Sequence, residues 1–306
     1  MTAPRWTDLG HLVDDVLAGR LGPDPATTVA TSVFWLHHGT RLATGDTTYR
    51  NQYVLARSGR SFGACAVEAG EVDPGICADA SGRSLAALIT EGPPALRLAA
   101  LDAYLAELRP HRDATEAERV TLPAGPPQVR ARARDAAVAG LLDVAPGAKV
   151  ALIGVVNPLV AAIRDRGAVC LPCDLHLRTT QWGEPVSDSA AEVLAAADAV
   201  VATGMTLGNG SFDQILRHCR DRSVPLVVYA QTGSAVARAF LGAGVTALSA
   251  EPFPFSQFSA DPTVLYRYRA PVPRPADPPT RPAAATRSDA AGPVPAGPAR
   301  DTDGPS

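Results

Sequence analysis

The 306-residue chain lacks most of the features that would assign it to a class at once. No apolar run approaches the roughly 20 residues that cross a bilayer, and the acidic N-terminus has no long apolar stretch of the secretory-signal kind. A net charge of -3 gives no basic footprint for nucleic acid or an anionic membrane. Five scattered cysteines do not resemble a disulfide framework. We therefore predict a cytoplasmic protein that binds neither nucleic acid nor membranes.

The strong catalytic and cofactor signatures are missing as well. There is no G-x-S-x-G elbow, Walker loop or H-E-x-x-H motif. The turn after the first strand of the second half reads Gly154-Val155-Val156-Asn157-Pro158, which is not G-x-G-x-x-G. A dinucleotide pyrophosphate needs those further glycines to approach the backbone, so NAD and FAD are not expected as cofactors.

What the chain does contain indicates two domains and a tail. With 46% hydrophobic residues it can bury a sizeable core. β-Branched strand patterns with a turn at Ser58-Gly59, followed by a helix pattern at 94–108, predict a small α+β domain. The predicted division is a small domain at 1–120, a linker at 121–127, a second domain at 128–270 and a disordered Pro/Ala-rich tail at 271–306.

The second domain alternates short apolar runs with helix patterns. The runs occur at 150–156, 168–172, 199–203, 225–229 and 245–249. Such alternation predicts an α/β fold with a doubly wound, mostly parallel sheet. Ligands bind such sheets at the carboxyl ends of the strands, so the turns that follow these strands are the candidate site.

The stretch from Asp198 to Asp213 is the most informative of these turns. A buried-strand pattern breaks at Thr203-Gly204, and a helix pattern begins near Ser211. The side chains and the glycine backbone of the turn between them can contact a ligand. The predicted ligand-binding residues of this turn are Thr203, Gly204, Thr206, Asn209 and Gly210. The alternative is that Asn209 or Ser211 only caps the helix and Gly204 only makes the turn.

Two further turns should reach the same edge. Gly154 and Asn157 follow the first strand, where Asn157 either contacts a ligand or caps a helix that starts at Pro158. Asp174 follows the second strand, at the position where an acidic residue commonly holds a ribose, or is simply an exposed loop carboxylate.

A metal site has weaker support in the sequence. Cys173 and His176 could offer a partial soft or borderline site. Cys170 and Cys173 form a C-x-x-C pair, but an odd separation on a strand sends the two side chains to opposite faces. Buried thiols are the alternative.

The second domain resembles the Rossmann-like family described as "putative heavy-metal chelation". The resemblance spans roughly 129–249 and rests on the Gly154 turn, the Asp188-Ser189-Ala190-Ala191-Glu192 helix start and the Thr203-Gly204-Met205-Thr206-Leu207-Gly208-Asn209-Gly210 turn.

This resemblance implies a small enolase-N-terminal-like domain in front, a ligand pocket between the domains and a link to metals or metal chelates. Asp102 stands where the family commonly has Asn.

Three functional hypotheses remain open. The leading one is a protein that binds a polar or anionic small molecule or a metal chelate. The second is an enzyme acting on a nucleoside-containing or amino-acid-like substrate, with S-adenosylmethionine as an example. The third is a non-catalytic interaction module that acts through its tail. The cofactor is unknown, with a metal ion or S-adenosylmethionine as the candidates, and a homo-oligomer is compatible with the sequence.

Overall fold

The computed structural model describes residues 6–41, 48–271 and 297; helices and strands largely alternate from β4 onward. In these residues the strands are β1 (Ser32–Arg41), β2 (Thr48–Ser58), β3 (Ser61–Val67), β4 (Glu118–Leu122), β5 (Lys149–Ile153), β6 (Val169–Cys173), β7 (Ala199–Thr203), β8 (Leu226–Ala230), β9 (Ala247–Ala250) and β10 (Thr263–Arg269). The helices are α1 (Leu9–Leu17), α2 (Ile76–Ala80), α3 (Leu85–Glu91), α4 (Pro94–Leu108), α5 (Pro127–Ala139), α6 (Asn157–Asp165), α7 (Ala190–Ala196), α8 (Met205–Gly208), α9 (Phe212–Asp221) and α10 (Ser234–Ala239).

The larger sheet confirms the predicted doubly wound α/β class. Within the described residues it has seven strands in the order β4-β10-β9-β8-β7-β5-β6. The pairs β5–β6, β5–β7, β7–β8 and β8–β9 are parallel. β10 is antiparallel to both of its neighbours, β9 and β4, and β4 is the edge strand on that side. The five parallel strands therefore follow the 2-1-3-4-5 order of doubly wound sheets, which reverses between β5 and β7.

Helices cover both faces of this sheet because its central strands are apolar throughout. All five residues of β7 and of β8 are buried. Val150 and Val201 pack with Leu159 in one core, and Ala151 and Val200 pack in the other. A strand that is buried on both faces needs such a continuous apolar run, which is why the sequence revealed these strands.

The smaller sheet is antiparallel, in the order β1-β2-β3. Its β2–β3 hairpin turns between Ser58 and Ser61, as the sequence predicted. α4 packs on this sheet, and its close approach depends on Gly63 of β3, where a Cβ would stand 2.0 Å from the Ala103 nitrogen. Three strands and a covering helix form the predicted α+β arrangement.

Several element boundaries differ from the sequence prediction. The β-branched strand pattern begins at Thr27, but the first strand begins five residues later, at Ser32. Between them only Val29 forms an isolated bridge, to Ser84. Thr121, assigned to the linker, lies in β4, which pairs with β10. α2, α3 and α8 were not predicted. The domain boundary itself stays a prediction.

Two further expectations concern the ends of the chain and membranes. The tail predicted for 271–306 lies outside the described residues, apart from 271 and 297. Among the described helices, none has the length and apolar character required to cross a membrane.

Candidate functional site

A cavity opens where the carboxyl ends of β5, β6 and β7 meet. β6 and β7 flank β5, so this is the reversal point of the strand order, where doubly wound sheets bind ligands. The cavity has a volume of about 310 Å³. We call it the switch-point cavity. Its lining residues come from the ends of these strands and from the end of β3: Ala66, Glu68, Glu71, Ile153, Gly154, Cys173, Asp174, Leu175, His176, Asp188, Ala190, Thr203, Met205, Thr206, Gly208, Asn209 and Ser211.

The switch-point cavity brings together most of the residues predicted from the sequence. The predicted ligand residues that line it are Gly154, Asp174, Thr203, Thr206 and Asn209. The predicted ligand residues outside its lining are Asn157, Gly204 and Gly210. Both metal candidates, Cys173 and His176, line it as well. That any of them binds a ligand stays a prediction.

The first and third turns meet where Gly154 lies against Thr203. Gly154 has φ +87°, and a Cβ there would lie 2.3 Å from Thr203 Oγ1. Thr203 is only 6% exposed, and its hydroxyl finds no hydrogen-bond partner among the described residues. Buried polar atoms are nearly always partnered, so this hydroxyl in the cavity wall can form a hydrogen bond with a bound ligand.

Asp174 holds the loops rather than extending freely into the cavity. One oxygen accepts from the Val155 backbone N–H at 2.9 Å, and the other from those of His176 at 2.9 Å and Leu177 at 3.0 Å. The carboxylate therefore ties the β5 turn to the β6 turn. A ribose would have to share oxygens that already accept three backbone hydrogen bonds, which favours the loop-carboxylate alternative.

The glycine-rich turn contains a helix that the sequence did not reveal. After Gly204 the chain forms α8, and the Thr206 hydroxyl donates to the Thr203 carbonyl at 2.8 Å. A Cβ on Gly204 would stand 2.2 Å from the Thr232 carbonyl oxygen, so this glycine permits packing. Asn209 Oδ1 accepts from the Ser211 backbone and hydroxyl at 3.1 and 2.7 Å. Ser211 occupies the N-cap position of α9 but no side chain caps that helix, so the Asn209 oxygen is engaged within the turn itself.

Asn157 acts on a neighbouring loop. It is the first residue of α6, which begins one residue before the predicted Pro158, and its Oδ1 accepts from the Gln181 N–H at 3.0 Å. Next to Gln181, Trp182 has the Arg164 guanidinium 5.2 Å from its ring centroid. Asn157 and Arg164 thereby fix the 175–187 loop beside the cavity.

Acidic residues that sequence reasoning missed dominate the charge of the lining. Glu68 and Glu71 follow β3, in the other sheet, and Asp188 precedes α7. With Asp174 they make four carboxylates, while no Arg or Lys of the described chain is in the lining. Two basic side chains lie beside these carboxylates. His176 is 3.8 Å from Glu68, and Arg178 is 3.9 Å from Asp188. Nothing local in the sequence links residues 68 and 71 to a turn about a hundred residues away.

The residues present do not by themselves form a coordination shell. In the described part of the chain, no three His, Cys, Asp or Glu side chains are placed to hold one metal ion. Burial raises the pKa of the Cys173 thiol, and metals bind the thiolate. Cys170 packs in one core and Cys173 in the other, so the prediction that they face opposite ways is confirmed. An ion held here would need to bring most of its own ligands.

Comparison with known proteins identifies a family and a shared fold. Residues 137–250 match the model of the family described as "Putative heavy-metal chelation", which confirms the resemblance inferred from the motifs. No curated protein matches the chain.

Two solved structures of proteins from the family of that model are similar to this one. A protein with unknown function from Desulfitobacterium hafniense has 14% identity and a TM-score of 0.53, over 83% of this chain and 96% of that chain. Another, from Pyrococcus horikoshii, has 16% identity and a TM-score of 0.46, over 72% of this chain and 80% of that chain. At 14% identity the first likeness concerns the fold alone.

Proposed function

Since residues 137–250 match the model of the family described as "Putative heavy-metal chelation", we propose that this protein binds a small ligand of net positive charge in the switch-point cavity. The ligand is a metal chelate or a cationic organic molecule. The observation that carries the proposal is the presence of four carboxylates in the lining of a cavity whose wall also holds the unpartnered Thr203 hydroxyl.

The charge of the lining argues for a cation over the anion that the sequence left open. Glu68, Glu71, Asp174 and Asp188 surround one cavity of about 310 Å³. Clefts lined by one sign of charge concentrate ions of the opposite sign. An anionic ligand would meet like charges at several points, and that repulsion disfavours its binding.

The Thr203 hydroxyl supplies the polar anchor. A buried group without a partner costs about 1–3 kcal/mol, and a ligand atom that accepts from or donates to it removes that cost. Gly154 leaves the space that this hydroxyl needs, because a side chain at position 154 would overlap Thr203 Oγ1. We expect the bound molecule to contact this hydroxyl.

In this proposal a metal is part of the bound ligand and is not held by the protein's own side chains alone. The lining offers carboxylates and one histidine but no set of three convergent ligands within the described residues. A chelate brings its own coordinating atoms, and the protein then recognises its charge and shape. This agrees with the family's description and with the acidic lining.

S-Adenosylmethionine represents the second candidate class, a cationic organic ligand. Its positively charged sulfonium would be attracted by the carboxylates of the lining. Asp174 contributes less to this attraction because it already accepts from three backbone N–H groups. No reaction is part of the proposal, because within the described residues no thiol or hydroxyl of the lining is hydrogen-bonded to a histidine or a carboxylate.

Calorimetry with matched probes tests the proposal. S-Adenosylmethionine is compared with S-adenosylhomocysteine, which lacks the sulfonium charge, and Cd²⁺ alone is compared with its histidine complex. We expect at least one cationic probe to bind, and the complex to bind more tightly than the bare ion. If S-adenosylmethionine binds no better than its neutral analogue and neither form of Cd²⁺ binds, the proposal fails.

Charge-neutralising variants locate the binding. Asp188→Asn combined with Glu68→Gln should weaken a cationic probe several-fold, because each exposed carboxylate contributes modestly. The control pair, Asp143→Asn with Glu192→Gln, removes the same charge from exposed positions outside the cavity. Thr203→Val removes the hydroxyl at nearly constant volume and should weaken the same probe. Equal effects of the two charge pairs would contradict a site in this cavity.

A further inference from the structure

A second cavity lies on another part of the molecule, between the β3 hairpin, the end of α4 and the start of β10. Its volume is about 300 Å³, close to the lower size of small-molecule sites. We call it the aromatic cavity. Its lining residues are Arg60, Ser61, Phe62, Ala106, Pro110, His111, Arg112, Pro252, Phe253, Pro254, Thr263, Val264 and Tyr266.

Two pairs of rings contribute to the aromatic cavity. Phe62 and Phe253 have their centroids 5.2 Å apart, and His111 stacks on Tyr266 at 5.8 Å with 24° between the planes. Arrays of rings present flat apolar surface to a planar guest, and aromatic pairs gain beyond the area they bury. The walls therefore favour a planar, unsaturated ligand.

The charged groups of this cavity have the opposite sign from those of the switch-point cavity. Arg60 and Arg112 line it, and none of its lining residues from the described chain is acidic. The Arg60 guanidinium forms no hydrogen bond or ion pair with any described residue, and Arg112 has only Asp113, 3.8 Å from its Nε. Guanidinium forks match carboxylates and phosphates, so these side chains favour an anionic group on the ligand.

His111 adds a buried polar atom to the wall. It is 3% exposed, and its Nδ1 lies 2.7 Å from the Tyr268 hydroxyl. Nε2 is buried and has no partner in the part of the chain that the structure describes. Burial lowers the pKa of His111 to about 3, so the ring is neutral at physiological pH. If Tyr268 donates to Nδ1, Nε2 carries the proton and is a donor in need of an acceptor.

We infer that the aromatic cavity is a second ligand site, which takes an aromatic anion carrying a carboxylate or a phosphate. The ring lies against Phe62, Phe253 and Tyr266, and the anionic group is held by Arg60 and Arg112. This site is separate from the proposed cation site, so the two can be tested independently.

Four small probes at fixed ionic strength test this assignment. Benzoate and phenyl phosphate carry both features, benzyl alcohol lacks the charge, and cyclohexanecarboxylate lacks the aromatic ring. Ligand-observed NMR and calorimetry on the full chain should detect benzoate or phenyl phosphate, and whichever binds identifies the anionic group. Failure of both to bind, or equal binding of cyclohexanecarboxylate, would overturn the inference.

Variants connect the binding to the cavity. Arg60→Ala with Arg112→Ala should weaken the bound probe about tenfold or more, since each charged hydrogen bond is strong. Arg132→Ala with Arg222→Ala changes the net charge equally at exposed positions elsewhere and should have little effect. Phe253→Leu keeps apolar volume but removes a ring, and should also weaken the probe, with folding checked by circular dichroism. Undiminished binding to the Arg60→Ala, Arg112→Ala variant would refute the site.

Discussion

The contact between Gly154 and Thr203 shows how one residue sets the geometry of the switch-point cavity. Gly154 adopts a left-handed backbone conformation directly after β5, which other residues rarely adopt. The same position faces Thr203 so closely that even a methyl group would overlap its hydroxyl. The glycine is therefore required twice, once by its own φ and once by its neighbour.

Gly154→Ala should consequently destabilise the fold by more than the strain of its positive φ alone, because the added methyl group also overlaps Thr203. Gly210→Ala is the matched control, because Gly210 also has positive φ, +79°, but has open space where its Cβ would be. We expect about 1 kcal/mol of destabilisation for the control and roughly 2–4 kcal/mol for Gly154→Ala, measured by urea unfolding.

A double-mutant cycle separates the two requirements. Thr203→Ala removes the overlapping atoms, so Gly154→Ala should cost less in that background, with the φ cost remaining. If Gly154→Ala costs the same in both backgrounds, the contact with Thr203 is not the constraint.

At the scale of elements, the sequence revealed strands that are buried on both faces and missed elements that are half exposed. β5, β7 and β8 consist almost entirely of apolar residues. The sequence predicted β7 at its observed bounds and β8 one residue early, and it extended β5 three residues beyond Ile153. β4 reads Glu-Arg-Val-Thr-Leu and buries only Leu122 fully, so its pattern hardly differs from a loop. α8 has four residues, which is too short for a helical period to appear.

Arg130 connects α5 to the segments around it through hydrogen bonds that the sequence pattern of the helix does not predict. Arg130 is 2% exposed and donates to the carbonyls of Pro123, Asp261 and Ser256 and to the Thr263 hydroxyl. These acceptors lie before α5, within and just after the short 3-10 helix at Ser256–Phe258, and at the start of β10. One fork-shaped cation thus joins three segments.

Arg130→Lys should therefore be costly despite keeping the charge. A lysine ammonium cannot reach acceptors spread around a planar fork, and it leaves buried carbonyls without donors. We expect a loss of roughly 2–4 kcal/mol in the free energy of unfolding. Arg132→Lys, on the exposed side of the same helix, should change it by less than about 0.5 kcal/mol. Similar losses in both variants would show that the fork geometry of Arg130 is not needed.

At the scale of the whole molecule, the sequence predicted the class of the fold but not what the fold brings together. The strands indicated a sheet edge where Gly154, Asp174 and Thr203 meet, and they line one cavity. Glu68 and Glu71 reach that cavity only because the β3 end packs beside α8, where a Cβ on Gly208 would lie 2.8 Å from Cys65 Sγ. Such long-range contacts leave no periodic trace, so the sequence did not reveal the sign of the cavity's charge.

Asp102 links the smaller sheet to α10, a helix that packs on β8 and β9 of the larger sheet. From the middle of α4 its carboxylate accepts from Ala64 of β3 at 3.0 Å, and from Ala235 and Val236 of α10 at 2.8 and 3.3 Å. It is 2% exposed, and burial raises its pKa to about 7 although these backbone donors lower it. The family resemblance implies that Asn commonly stands here.

The raised pKa makes the stability of the whole molecule depend on pH in a definite direction. The folded state retains the Asp102 proton at pH values where the unfolded chain, with a pKa of 3.8, has released it. This contribution is fully present below about pH 4, is lost as the pH rises to about 7, and is constant above that. Wild-type stability should accordingly contain a falling component across this window.

Asp102→Asn removes the titrating group while keeping one acceptor, so the unfolding free energy of the variant should vary less across that window. Its absolute stability should be lower at acidic pH, since the amide leaves one of the three backbone donors without an acceptor. The difference between wild type and variant should then shrink as the pH rises, in urea titrations from about pH 4 to 8. Asp143→Asn, at an exposed position, should reproduce the wild-type profile. Parallel wild-type and Asp102→Asn profiles would mean that Asp102 does not titrate in this range, and that its link between the smaller sheet and α10 stays charged throughout.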